Sequence, residues 1–187
     1  MHGFKGKCPN KFTRALEKYF PKENVFGLNY VFDPIEAEKA LAEEIKEKIA
    51  EHFDDINIVF AGHSLGGFWA YYFAHKHPTS RAILINPLIN PFESKAGTYY
   101  SGNHGKIIIT QQQITDCKKY DVLGVSDKKV PTLLLFDLGD KKIPHENTFS
   151  LFAEKDTDVF CFEGGSHRFT HLKQAMPVVK WFYHKDK

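Results

Sequence analysis

The sequence predicts an α/β fold, a three-layer αβα sandwich around a mostly parallel sheet. Three observations carry that prediction. Segments of helical period alternate with short apolar runs along the chain. INIVFA is a short β-rich run, and RAILIN, TLLLF and VFCFE hold few charges, as strands covered on both faces should. A glycine-rich turn, GHSLGG, separates the first run from a helix. With 187 residues, 42% hydrophobic and 26% charged, the chain can bury a core without a metal or disulfide staple. A single domain over residues 1–187 is expected.

Lys11 to Phe20 reads as a short helix stopped by Pro21. Val25 to Tyr30 is a candidate strand. From Pro34, the stretch PIEAEKALAEEIKEKIAEHF is the clearest helix. Proline suits its first turn, and Leu41, Ile45, Ile49 and Phe53 recur four apart on one face. Ile56 to Ala61 is a strand ending at Gly62, and a helix runs from about Leu65 to Lys76. Arg81 to Asn86, Thr132 to Phe136 and Val159 to Glu163 are further strands. Helices follow at His145 to Ala153 and Thr170 to His184. Pro87 to Val130 breaks the rhythm, with prolines, glycines, Tyr99 and Tyr100 and the run Gln111 to Gln113. It is too long for a plain connection. It reads as a small cap or lid inserted at about 87–130, with one helix around Ile114 to Tyr120.

Lys and Arg number 25 against 23 Asp and Glu, a balance that points to no nucleic-acid partner. No run of 18 apolar residues exists, so no membrane span is expected. Cys8, Cys117 and Cys161 form no C-x-x-C pair, and the N-terminus lacks the apolar core of a signal peptide. A reduced, cytoplasmic setting follows as the expectation. Among ten histidines His75 and His77 lie closest together, and they read as a helix end rather than a metal site. No metal or organic cofactor is expected.

Gly62-His63-Ser64-Leu65-Gly66-Gly67 fits G-x-S-x-G between a strand and a helix. In that setting a sharp turn lifts the serine hydroxyl clear of the sheet. A serine needs a base, and the base an acid to orient it, in the chain order Ser, Asp or Glu, His. Asp140 lies just past TLLLF and His167 just past VFCFE, both at the strand ends where open α/β sheets bind ligands. Each has a rival: Asp137 lies three residues before Asp140, and His171 four after His167. Asp140 is preferred because Asp137 is closer to the strand. His167 is preferred because Gly164-Gly165-Ser166 makes it a free loop residue. His63 is expected to point away into the surrounding packing, and His145 to start a helix. The amide of Leu65 supplies one oxyanion donor, and Phe4, after Gly3, is the candidate for the second.

These residues bring the sequence close to a known group. HGFKG at the start, GHSLGGFWA, LINPLINPFE, LGDKKIP and EGGSHRFT together resemble the small YqiA-type esterases of the α/β-hydrolase superfamily. The resemblance covers nearly the whole chain. It implies a serine hydrolase acting on small-molecule carboxylic esters or acyl thioesters, with Ser64, Asp140 and His167 as triad and Phe4 in the oxyanion hole. Phe92, Tyr99 and Tyr100 are candidates, with Phe4 and Leu65, to line an acyl pocket, and serve equally as ordinary packing. An acyltransferase on the same fold, or a scaffold that has lost turnover, are the alternatives. One departure stands out: in that family H-G-F follows an apolar first strand, and here only Met1 precedes His2. The expectation is that the stated start is internal to a longer natural chain. The Ile56 to Ala61 strand should then show an unpaired edge or pair with Val25 to Tyr30.

Overall fold

The computed structural model describes residues 1–3, 6–51, 57–101, 105–123, 128–153 and 155–185, without the side chains of Tyr100 and Ser101. Six strands occur among them: β1 (Val59–His63), β2 (Arg81–Ile85), β3 (Gly97–Ser101), β4 (Gly105–Ile109), β5 (Thr132–Asp137) and β6 (Thr157–Phe162). β1, β2, β5 and β6 form one parallel sheet in the order β1-β2-β5-β6. Six helices accompany them: α1 (Lys11–Leu16), α2 (Pro34–Ala50), α3 (Leu65–Lys76), α4 (Gln111–Cys117), α5 (His145–Phe152) and α6 (Leu172–His184).

The alternation of side chains along each strand sorts the core into two layers. Phe60, Leu84, Leu134 and Phe136 pack with Leu41 and Ile45 of α2, with α3 and with Phe152 of α5. Ile83, Ile85, Leu133 and Leu135 face the other way, onto Met176, Val179 and Phe182 of α6 and Phe12 and Leu16 of α1. The αβα sandwich is therefore the observed architecture. α2 begins where expected, with Asp33 accepting from the amides of Ile35 and Glu36 and Pro34 in the first turn. α3 is buried from Leu65 to Ala74 with no polar face, the mark of a core helix.

Three expectations need correction. Val25 to Tyr30 is not a strand; its backbone is irregular, apart from the end of a short 3-10 turn at Lys22–Asn24. A strand exists through its ladder, and this segment forms none with the open edge of β1. Instead Leu28 is buried as a single side chain, and Tyr30 stacks on His2 with ring centroids 4.4 Å apart. Secondly, β6 is not covered on both faces: it forms an edge, with Val159 45% and Phe160 37% exposed. Thirdly, the stretch between β2 and β5 contains more than one helix. β3 and β4 pair as an antiparallel hairpin, and a 3-10 turn at Lys118–Tyr120 extends α4.

The outer edge of β1 is nearly bare among the described residues. The Met1 amino group donates to Ala61 O at 2.6 Å, and the His63 amide donates to Met1 O at 3.4 Å. That is one bridge of a parallel ladder. Burial pushes the Met1 amine below its ordinary pKa. Beyond this bridge a cleft of about 520 Å³ follows the strand edge, walled by apolar side chains including Phe12, Phe20, Ile45, Ile49 and Met176. Among the described residues no helix is long and apolar enough to cross a membrane.

Candidate active site

β1 delivers Ser64 through a turn whose backbone is strained. Ser64 has φ 55° and ψ −125°, outside the regions open to ordinary residues, at a cost on the order of 1–3 kcal/mol. The surrounding glycines permit that turn. A Cβ on Gly62 would lie 1.9 Å from Gly66 O, and one on Gly66 would lie 2.4 Å from His2 O. The Ser64 amide donates to Ile85 O at 3.1 Å, fixing the turn to β2. Leu65 follows as the first residue of α3, and amides in a first helical turn have no carbonyl behind them to bond.

Asp140 sits in the turn after β5, closed by its amide donating to Asp137 O at 3.0 Å. Its Oδ1 accepts from the amides of Lys142 and Ile143, which leaves Oδ2 for the site. After β6 the chain passes Gly164 and Gly165, at φ 71° and 75°, and presents His167. His167 Nδ1 is 2.8 Å from Asp140 Oδ2, and its Nε2 is 3.1 Å from Ser64 Oγ. An ionised carboxylate only accepts, so Nδ1 carries the ring proton and Nε2 offers a lone pair to the Ser64 hydroxyl. Ser64, Asp140 and His167 are thus brought together from the ends of three strands.

The rival acid and the rival histidine pair with each other. His171 Nδ1 lies 2.8 Å from Asp137 Oδ1, with the His171 ring flat against Phe162. Asp137 Oδ2 accepts from the Ser166 amide and from both the amide and hydroxyl of Thr170. Burial pushes the Asp137 carboxyl up, but these hydrogen bonds together outweigh it, and its pKa lies below the usual carboxylate value.

Several supporting residues gave no sequence signal. His63 packs on Phe12 as expected, yet it does not point away from the site: its Nε2 donates to the His167 carbonyl at 2.6 Å. Burial depresses its pKa to about 4, so the ring is neutral at pH 7. Asn86, buried and at φ 39°, accepts the Asp137 amide on Oδ1 and donates through Nδ2 to Ser166 O. Lys11 donates to the carbonyls of Arg168 and Phe169. The only trace in sequence was the polarity of Asn86 in an otherwise apolar stretch. His145 starts α5 as expected.

The oxyanion and pocket candidates fare unevenly. Phe4 lies outside the described residues. Its neighbour Gly3 runs against the nucleophile, since a Cβ there would meet Ser64 Cβ at 3.0 Å. His2 is held beside it, accepting the Tyr30 amide on Nε2 while Tyr30 donates its hydroxyl to His2 O. Phe92 lies in a 3-10 turn at Pro91–Glu93 and packs on the α3 side of the core. Tyr99 is on the hairpin, 37% exposed, with its hydroxyl donated to Lys95 O. Tyr100 lies in β3, and its side chain is outside the described part. The apolar cleft along β1 is lined by His63 but by neither Ser64 nor His167. No group of three or more His, Cys, Asp or Glu among the described residues could hold a metal ion.

Comparison with known proteins agrees with this architecture. A UPF0227 protein of Vibrio parahaemolyticus is 24% identical over 184 residues, 97% of this chain and 96% of its own length. The ferulic acid-bound structure of Est1E from Butyrivibrio proteoclasticus superposes with a TM-score of 0.74 at 16% identity, over 97% of this chain and 85% of that one. A monoacylglycerol lipase from Paleococcus ferrophilus gives 0.66 at 16% identity, over 98% and 92%. At such identities the solved structures establish the fold alone, that of the α/β-hydrolases. The uncharacterised protein family UPF0227 matches residues 1–184, and the chain belongs to that family.

Proposed function

We propose that this protein is a serine hydrolase of carboxylic esters, acyl thioesters included, working through Ser64, His167 and Asp140. The observation that carries the proposal is the unbroken relay from Ser64 Oγ to His167 Nε2 at 3.1 Å and from Nδ1 to Asp140 at 2.8 Å. The strained serine between β1 and α3 supports it, as does the lipase among the structural neighbours. His167 takes the hydroxyl proton as Oγ attacks the carbonyl carbon, and Asp140 stabilises the imidazolium that forms. The tetrahedral oxyanion is held by the amides of Leu65 and Phe4; one such donor is typically worth about 10²–10³ in rate. Collapse expels the alcohol or thiol, which takes the proton from His167. Water, deprotonated by the same ring, then attacks the acyl-enzyme and releases the acid.

The segment from Pro87 to Val130, with its hairpin and α4, serves in this reading as a cap over the acyl group within one domain, residues 1–187. Phe92, Tyr99 and Tyr100 are its proposed lining. Three free cysteines, Cys8, Cys117 and Cys161, suit the proposed cytoplasmic setting. A fluorophosphonate probe should label the native protein and not Ser64→Ala. Nitrophenyl esters of increasing chain length, run beside acyl-coenzyme A, should show turnover that disappears in the same variant. Absence of both labelling and turnover overturns the reading. Product that forms only when an acceptor alcohol or amine is added would make the protein an acyltransferase instead.

A further inference from the structure

Asp137 ends β5 fully buried, yet all four groups that bond its carboxylate belong to the segment that carries His167. Oδ2 takes the Ser166 amide at 3.0 Å, the Thr170 amide at 2.6 Å and the Thr170 hydroxyl at 3.1 Å, and Oδ1 takes His171 Nδ1 at 2.8 Å. These donors lie on both sides of His167, one residue before it and three or four after. The backbone of Asp137 reaches the other half of the site, since its carbonyl accepts the Asp140 amide. Its own amide is held by Asn86, which also donates to Ser166 O. Gly165 is fitted to this arrangement, for a Cβ there would come within 2.1 Å of Asp137 Oδ2.

We propose that Asp137 is a positioning residue for His167: its carboxylate clamps the loop from both flanks and so sets the distance from Nε2 to Ser64 Oγ. The loop needs such a clamp. It belongs to no helix or strand, and two glycines of positive φ lead into it. Its amides at 166 and 170 both turn to the buried carboxylate of Asp137 as their acceptor. His171 completes the clamp by occupying Oδ1, and its stacking on Phe162 ties that side to β6. The kinetic consequence rests on the hydrolase reading above; the geometric one does not.

The test uses the full chain with Asp137→Ala, Asp137→Asn and His171→Phe. Turnover of a nitrophenyl ester is normalised to active sites titrated with the fluorophosphonate, and the ring signals of His167 are followed by NMR. Displacing a catalytic group by about 1 Å costs about 10² in rate, so Asp137→Ala should lose about that much in kcat with KM nearly constant. Asp137→Asn keeps the shape and loses the charge, and should lose about tenfold; His171→Phe should lose less. A merely structural role would lower the amount of folded protein and leave kcat per titrated site alone. If Asp137→Ala does not fold, the other two variants carry the comparison. Folded Asp137→Asn with unchanged kcat and unmoved His167 signals overturns the inference. If the native protein cleaves no ester while the His167 signals still move in the variants, the hydrolase reading falls and the positioning role stands.

Discussion

Two histidine–carboxylate pairs stand side by side at one end of the sheet, and their internal geometry is the same. His167 with Asp140 and His171 with Asp137 both join Nδ1 to a carboxylate oxygen at 2.8 Å. Both carboxylates are buried, 3% and 0% exposed, and the two rings are comparably open at 18% and 23%. They differ in what faces the far side of the ring. His167 turns Nε2 to Ser64, whereas His171 lies against Phe162 with an interplanar angle of 10°. A buried carboxylate on an imidazole therefore does not mark a reactive centre by itself. In the proposed mechanism the pair that faces the strained serine moves the proton, and the role proposed for the other pair is to hold the loop.

Breaking the first pair should have the largest effect. Ser64→Ala is expected to lower kcat on esters by about 10⁶, and Asp140→Asn by about 10⁴, with melting temperatures close to the native protein. Equal losses from Asp140→Asn and Asp137→Asn would erase the distinction between the pairs. Gly165→Ala should behave like a partial loss of the second pair, because its Cβ would overlap Asp137 Oδ2 and its φ is 75°. A fall in kcat of about 10² is expected with Ser64 still labelled, though more slowly. Native-like kcat in Gly165→Ala would show that the loop tolerates displacement.

The smallest effect concerns stability against pH. Burial holds His63 at about 4 against an ordinary 6.5, so the folded state binds this proton less readily than the unfolded one. The sign follows: stability is full above about pH 6.5 and is lost as the pH falls from there towards 4. The loss from this one group approaches about 3 kcal/mol at pH 4, on the order of 10 °C in melting temperature. His63→Gln keeps a donor for the His167 carbonyl and cannot titrate. It should flatten the acid side of a melting-temperature profile between pH 7 and pH 4.5; an unchanged slope would locate the acid sensitivity elsewhere.

The order of elements was legible because it depends on local chemistry. Pro34 behind Asp33, the four-residue spacing through Leu41 and Ile45, and the uncharged run TLLLF each specify their own conformation. Val25 to Tyr30 misled for the complementary reason. Its composition suits a strand, but a strand needs a partner edge, and pairing is not a local property. VFCFE misled in the same way, since the sequence shows an apolar run and not which position in the sheet it takes. The supporting bonds from His63, Asn86 and Lys11 to the His167 loop join residues 80 to 158 positions apart in the chain. No spacing rule reaches that far.

The sequence by itself determined that a serine turn joins a strand to a core helix, and that an acid and a histidine end later strands of the same sheet. Glycine at 62 and 66 and the apolar runs enforce this through sterics and burial, forces that act between near neighbours. Only the tertiary structure decided which of two aspartates meets which of two histidines. Strands β1, β5 and β6 lie at different places in one sheet, so that choice depends on how their ends align in space, a geometry that no local stretch of chain contains.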